Sequence, residues 1–255
     1  MEAQKTTTTA KSVNPDEIAH FSSMAETWWD PNGPFKPLHQ LNPTRLAFIK
    51  DQICRNFNLD ATADKPFSSL RILDIGCGGG LLCEPMARLG ATIVGADAAH
   101  KNIKTASLHA QQMGLDIDYR FTTAEELSEQ GEKFDVILNM EVIEHVADIS
   151  SFLDACHKML KDDGCMTLST LNRTLKSWAM AIAGAEYILR WLPKGTHDWH
   201  KFLKPSEVCE LAAASGFDIE SLKGMVYNPI KSRWSLDDHD FSVNYVALVV
   251  KSKNG

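Results

Sequence analysis

Glu141, Glu144 and His145 stand at i, i+3 and i+4 within the run NMEVIEH, residues 139–145. If that run is helical, two carboxylates and an imidazole project from one face. Such a trio suits an octahedral-type site for a divalent cation, with positions left open for water or a substrate oxygen. The spacing alone also fits a solvated helix N-terminus, where acidic side chains favour the dipole. A further histidine, His197 or His200, is available from GTHDWH at 195–200 as another ligand or a general base, although a histidine in a loop is usually just solvated.

A second group surrounds a glycine turn. Residues 71–80 read RILDIGCGGG and residues 91–97 read ATIVGAD. The pattern is a buried strand, a tight turn, a helix, and a second strand ending in a carboxylate. Gly76, Gly78, Gly79 and Gly80 let the backbone approach a ligand that any Cβ would exclude. Asp97 falls 21 residues after Gly76, about where an acidic residue takes a ribose hydroxyl pair in nucleotide-binding βαβ units. Leu81 leaves G-x-G-x-x-G incomplete, and Asp74 just before the turn favours a cationic amino-acid group over a pyrophosphate. The combination points to S-adenosylmethionine as cofactor, with Asp74, Gly76, Gly78 and Asp97 around it. The alternative is a βα turn that holds no ligand.

These groups need elements to position them. Residues 15–59 read as helical, interrupted at DPNGP (30–34) and Pro37. From Leu70 the patterns alternate: strand 70–75, helix 80–89, strand 92–96, helix 100–113, strand 117–121, strand 134–138, then helical material to about 160. Strand 164–171, helix 205–214, strand 217–222 and strand 242–251 complete the order. Alternation of this kind predicts an α/β fold with a mostly parallel sheet covered on both faces. Ligands in such sheets sit beyond the carboxyl ends of the strands, which singles out 76–80, 97–100, 139–145 and 171–173.

At 255 residues and 44% hydrophobic, the chain can bury a full core as one domain, 15–255, behind a polar tail at 1–14. Within it, 15–63 forms an N-terminal helical cap and 173–204 an insertion. The formal net charge of −7 argues against a nucleic-acid partner, whose binding would rest on Lys and Arg. Six cysteines without a C-x-x-C pair read as buried free thiols in a reducing compartment. No apolar h-region or Arg-rich leader marks the start, and no stretch reaches the roughly 18 apolar residues of a membrane span.

Several motifs together resemble the ubiquinone-biosynthesis O-methyltransferase family. They are the glycine turn with Asp97, NMEVIEH, STLNRT at 169–174 and KGTHDW at 194–199. Phe21, AETWWDP at 25–31, LNPTR at 41–45 and GMVYNP at 224–229 belong to the same resemblance, which covers about residues 15–250. It implies a Rossmann-like, seven-stranded class I methyltransferase sheet. The implied activity is methylation of catechol hydroxyls on polyprenylated ubiquinone precursors, at an early 2-polyprenyl-6-hydroxyphenol step and a late 3-demethylubiquinol step. Carried over position by position, Arg45, Gly76, Asp97 and Met140 are cofactor contacts, and Glu141, Glu144 and His145 ligate a divalent metal, Mg²⁺ or Zn²⁺. An Arg pairs bidentately with a carboxylate such as that of the methionine moiety, and a flexible Met suits adenine or sulfur.

The chemistry expected is metal-assisted. A free phenol titrates near 10, as tyrosine does, so coordination that favours the phenolate would prepare it to attack the sulfonium methyl. Small-RNA 3′-terminal methyltransferases carry a similar Glu-x-x-Glu-His cluster, but the acidic balance and the apolar insertion speak against that rival. A non-catalytic cofactor-binding scaffold of a quinone-biosynthesis complex is a second rival, which the intact motifs disfavour. A methyltransferase for another catechol is a third.

Residues 176–193, KSWAMAIAGAEYILRWLP, form an apolar segment whose Glu186 and Arg190 line up with Lys194 just beyond it at i, i+4 and i+8. Such a segment suits either a lid over the site or a helix lying at a headgroup boundary. The expectation is a bacterial cytoplasmic protein peripheral to the inner membrane, with other ubiquinone-biosynthesis proteins as further partners.

Overall fold

A computed structural model of the chain describes residues 12–179 and 199–253. Two N-terminal helices, α1 (Pro15–Met24) and α2 (Lys36–Asn56), flank the predicted break. Then follow β1 (Arg71–Ile75), α3 (Cys83–Arg88), β2 (Thr92–Asp97), α4 (His100–Gln112), β3 (Asp118–Phe121) and α5 (Ala124–Glu129). The second half contains β4 (Phe134–Met140), α6 (Ile149–Met159), β5 (Leu160–Leu171), the single turn α7 (Leu175–Ser177), α8 (Pro205–Ala214), β6 (Phe217–Asn228), β7 (Arg233–Asp237) and β8 (Asn244–Lys251).

The strands form one sheet in the order β3-β2-β1-β4-β5-β8-β6-β7. Pairing is parallel from β3 through to β5, and β8 is antiparallel to both β5 and β6. Successive strand side chains alternate between faces. Leu73, Val94 and Ile137 accordingly pack with α5, α6 and α8 through Leu127, Phe152 and Val208. Ile72, Ile93 and Val136 pack on the opposite face with α2 and α3 through Phe48, Ile53 and Met86. Burial on both faces explains why β1 and β4 read as continuous apolar runs.

Eight strands are present where seven were expected, because β7 adds an antiparallel edge to β6. Four of its five residues are exposed and only Trp234 is half-buried, so it carries no apolar signal. The helical reading of 141–145 is also corrected. β4 runs to Met140, Glu141 takes φ 59°, and only Ile143–His145 form a single 3₁₀ turn. β-branched Val142 and Ile143 are poor helix formers. A left-handed Glu costs about 1–3 kcal/mol and is held here by Ser169, whose carbonyl accepts from the Glu141 N–H at 3.0 Å.

The chain moves from β1 outward to β3 and then returns to β4 on the other side of β1, so the order reverses between β1 and β4. Crevices of this kind at carboxyl ends receive ligands. The glycine turn after β1 is built for close approach. Gly78 takes φ 54°, and a Cβ there would land on the Trp28 ring, which packs flat over the turn with Phe35 at 3.7 Å between centroids. Gly78→Ala is therefore expected to destabilise the protein by about 2–3 kcal/mol, through left-handed strain and displacement of Trp28. Urea unfolding measures it directly.

Five of the six cysteines are buried, as expected. Cys209 is exposed.

Candidate active site

A cavity of about 350 Å³ lies beyond the carboxyl ends of β1, β2 and β4. Arg45, Asp74, Gly76, Gly78, Asp97 and Met140 all line it, as do Glu141, Glu144 and His145. Of the segments that strand topology singled out, 76–78, 97–99, 140–142, Glu144 and His145 converge there, and 171–173 reaches it through Leu171 alone. His200 does not line it and sits exposed in the 3₁₀ turn Trp199–Lys201. His197 lies outside the described residues.

At one end Asp97 closes β2. Its Oδ2 accepts from the Gly78 N–H at 2.9 Å and its Oδ1 from the Ala99 N–H at 2.7 Å. Asn102 Nδ2 donates to the same Oδ1 at 3.2 Å, and Trp28 Nε1 donates to Asn102 Oδ1 at 3.0 Å. Burial raises the carboxyl's pKa, and these bonds to the carboxylate oppose the rise. The result is a buried acceptor aimed from a fixed position and bound to the glycine turn.

Asp74 and Arg45 both line the cavity and each acts on the other's charge. Arg45 is 3% exposed, donates from Nη2 to Asn42 Oδ1 at 2.9 Å, and leaves Nε without a hydrogen-bond partner. Burial opposes its charge, which Glu141 and Asp74 support. A buried guanidinium N–H without an acceptor suits a ligand carboxylate. Burial pushes Asp74 up to about 7, against the Cys83 thiol donating at 3.1 Å and the Arg45 charge.

At the other end the two glutamates meet. Ser169 Oγ donates to Glu141 Oε1 at 2.8 Å. Glu144 is 4% exposed, its Oε2 has no partner, and burial beside Glu141 pushes its carboxyl well above the usual range. A pair of interacting carboxylates with an orphaned buried oxygen fits a cation. His145 turns elsewhere. Its Nδ1 lies 3.1 Å from Glu17 Oε2, and Glu17 Oε1 accepts from Lys201 Nζ at 2.7 Å. Burial opposes the Glu17 charge, but hydrogen bonds from His145 and Lys201 hold the carboxyl at about 2. Among the described residues no three His, Cys, Asp or Glu side chains group closely enough to hold a metal ion. Two predicted donors fit, and the third is tied by one nitrogen to α1.

Sequence reading missed the supporting residues. Glu17, Trp28 and Asn102 reach the site from distant segments, and Tyr227, Trp234 and Asn244 wall it from β6, β7 and β8. The Trp28–Trp29 pair was conspicuous, but nothing in it named Asn102 as a partner.

A family model described as a methyltransferase domain matches residues 45–222. The structure resembles a magnesium protoporphyrin IX methyltransferase from Synechocystis with bound SAM, with TM-score 0.59 and 16% identity over 95% of this chain and all of that one. It is equally close to a Burkholderia thailandensis 1,6-didemethyltoxoflavin-N1-methyltransferase bound to S-adenosylhomocysteine (TM-score 0.59, 16% identity, 96% and 93% covered). Fold and family model together define an S-adenosylmethionine-dependent methyltransferase of the Rossmann-like kind. Ubiquinone biosynthesis O-methyltransferases from Cereibacter sphaeroides and Ruegeria are similar along nearly the whole length. The first is 59% identical over 94% of this chain and 98% of its own, the second 57% over 99% and 100%. The chain belongs to the ubiquinone biosynthesis O-methyltransferase family and is an S-adenosylmethionine-dependent O-methyltransferase of ubiquinone synthesis. Membership sets aside the RNA and scaffold readings.

Proposed function

We propose that the chain methylates catechol hydroxyls on polyprenylated ubiquinone precursors, at both the 2-polyprenyl-6-hydroxyphenol and the 3-demethylubiquinol steps. The observation that carries this reading is the buried Glu144 carboxyl against Glu141, whose Oε2 has no hydrogen-bond partner, at the end of the pocket away from Asp97. It is a place for adjacent ring hydroxyls and a cation together. Glu141 and Glu144 would hold Mg²⁺ or Zn²⁺, with His145 offering the ring nitrogen that Glu17 leaves free. The cation would stabilise a phenolate at neutral pH.

The chain's own residues do the rest. Asp97 takes the ribose hydroxyls and the glycine backbone at Gly76 and Gly78 packs close to the cofactor. Arg45 pairs with its carboxylate, Asp74 with its ammonium, and Met140 packs against the adenine or sulfur. The sulfonium is already a good leaving group, so orientation supplies much of the acceleration. Labelled methyl transfer to a short-chain demethylubiquinol, with chelator and then with metal restored, tests the reading. Activity should vanish and return; activity indifferent to chelator would remove the cation from it.

Asp74 makes cofactor binding pH-dependent. The cofactor ammonium favours the ionised carboxylate, so binding expels a proton from a group that titrates at about 7. Affinity should rise about tenfold between pH 6 and 8, and Asp74→Asn should flatten the profile. In the cofactor-free protein the sign is opposite. The folded state holds this proton more tightly than the unfolded one, so stability falls as pH rises through about 7. Calorimetric titration in two buffers reads the proton released.

We also propose that residues 176–193 contact the membrane while covering the site. Residues 180–198 lie outside those described, and none of the described helices is long and apolar enough to cross a bilayer. Vesicle flotation should weaken when 176–193 are removed; equal flotation of both forms would refute the contact.

A further inference from the structure

β6 and β7 continue past the carboxyl edge of the sheet as a hairpin. Ile230, in its turn, is 95% exposed, more than any other large apolar side chain among the described residues. It is held there. Asn228 Oδ1 accepts from the backbone N–H groups of Ile230 and Lys231, both at 3.0 Å, and Ser232 closes the turn with φ 46°. Lys231 and Arg233 follow the isoleucine, both exposed, and neither joins an ion pair among the described residues.

The same edge carries further apolar surface. Leu175 and Trp178, 80% and 46% exposed, follow the end of β5. Lys176 between them is fastened to the β7–β8 connection, 3.2 Å from Asp240 and 2.7 Å from Ser242 Oγ. At the base of the hairpin, paired Tyr227 and Trp234 pack with ring centroids 5.3 Å apart and line the pocket. One short hairpin thus joins the pocket wall to a protruding apolar tip with two uncompensated cations.

Single exposed apolar residues are ordinary, but here the tip, the basic pair and the pocket wall are continuous. One isoleucine is far too little surface for a stable protein interface, which needs on the order of 1,000 Å². A bilayer surface accepts a shallow apolar tip and rewards adjacent basic residues when its lipids are anionic. The protein as a whole carries −7, so general attraction to an anionic surface is missing and the local pair must supply it.

We propose that the β6–β7 hairpin is a docking tip for an anionic phospholipid bilayer. Ile230 enters the headgroup region, Lys231 and Arg233 meet lipid phosphates, and the pocket mouth is seated beside the acyl chains. A polyprenyl tail then stays in lipid while its ring enters the site. The inference rests on the polyprenylated-substrate reading, and it adds to any contact through 176–193 a second one, at the β6–β7 turn.

The test uses the full chain with phosphatidylcholine vesicles, with and without phosphatidylglycerol. Wild type should sediment with the anionic vesicles. The triple variant Ile230→Asp, Lys231→Glu, Arg233→Glu should lose about tenfold or more in partition. Its turnover of a short-chain, water-soluble catechol should be unchanged, since none of the three residues lines the pocket. In a second arm, Ile230→Cys on a Cys209→Ser background carries an environment-sensitive fluorophore, whose emission should shift to the blue with anionic vesicles. Unchanged partition of the triple variant, or an unshifted label, overturns the proposal. So does a shift driven by protein concentration alone, which would indicate self-association. Failure of wild type to turn over the short-chain catechol would overturn the substrate reading instead and leave the vesicle results to stand or fall by themselves.

Discussion

Glu144→Gln should lose methyl transfer by about 10²–10³-fold while making the cofactor-free, chelator-treated protein more stable. The two effects have one origin. Glu144 is buried against Glu141 with an oxygen that nothing in the protein satisfies. Ionising it there is unfavourable in the empty site and useful only when a cation or an acidic hydroxyl arrives. An amide keeps the shape and removes the charge, so the repulsion disappears together with the means of handling the phenol proton. Relief of about 1 kcal/mol would raise Tm by about 2–4 °C. Single-turnover kinetics and calorimetry on the same preparation check both halves. A variant that loses activity and stability together would make Glu144 a structural residue.

Asp97→Ala should weaken cofactor binding by about 10²–10³-fold, and it should damage the site before any ligand is present. The carboxylate does two jobs. In the proposed reading it offers acceptors to the ribose, and it already binds the Gly78 and Ala99 N–H groups and the Asn102 amide. Truncation leaves buried donors unpaired at about 1–3 kcal/mol each. The glycine turn should therefore loosen, and Trp28, which packs over it, should change its fluorescence without ligand. Titration with S-adenosylhomocysteine gives the affinity and denaturant unfolding gives the stability. A loss of affinity with unchanged stability would show that the carboxylate serves the ribose alone.

What could be read in advance follows from how locally each feature is determined. β1, β2 and β4 are legible because both faces of a central strand are apolar, and the glycine turn is legible because its geometry restricts residue type. The position of the pocket follows from topology without any family knowledge. The NMEVIEH run misled on its local conformation. Its acidic spacing imitates a helical face, whereas the end of β4 and the Ser169 contacts draw Glu141 into a left-handed turn. β7 is an edge strand with almost nothing to bury, so its pattern is that of a loop. The Glu17–His145 pair joins residues 128 apart in sequence, and no spacing rule reaches that far.

The N-terminal segment 12–24, which lines the pocket through Ser12, Glu17 and Phe21, has a temporal consequence. Its ties span nearly the whole polypeptide: Ser12 to Glu125, Glu17 to His145, and Glu17 to Lys201 across 184 positions. Contacts this distant form only after the intervening sheet is in place, since ordering long loops precedes any gain from closing them. During synthesis α1 emerges well before residue 201 and so waits for its partners until that residue has left the ribosome. The pocket is thus the part of the molecule finished last, and with few local contacts to secure it, the first to open on warming. Cofactor bound in the pocket should accordingly protect the amides of α1 from hydrogen exchange far more than those of β1 or β4.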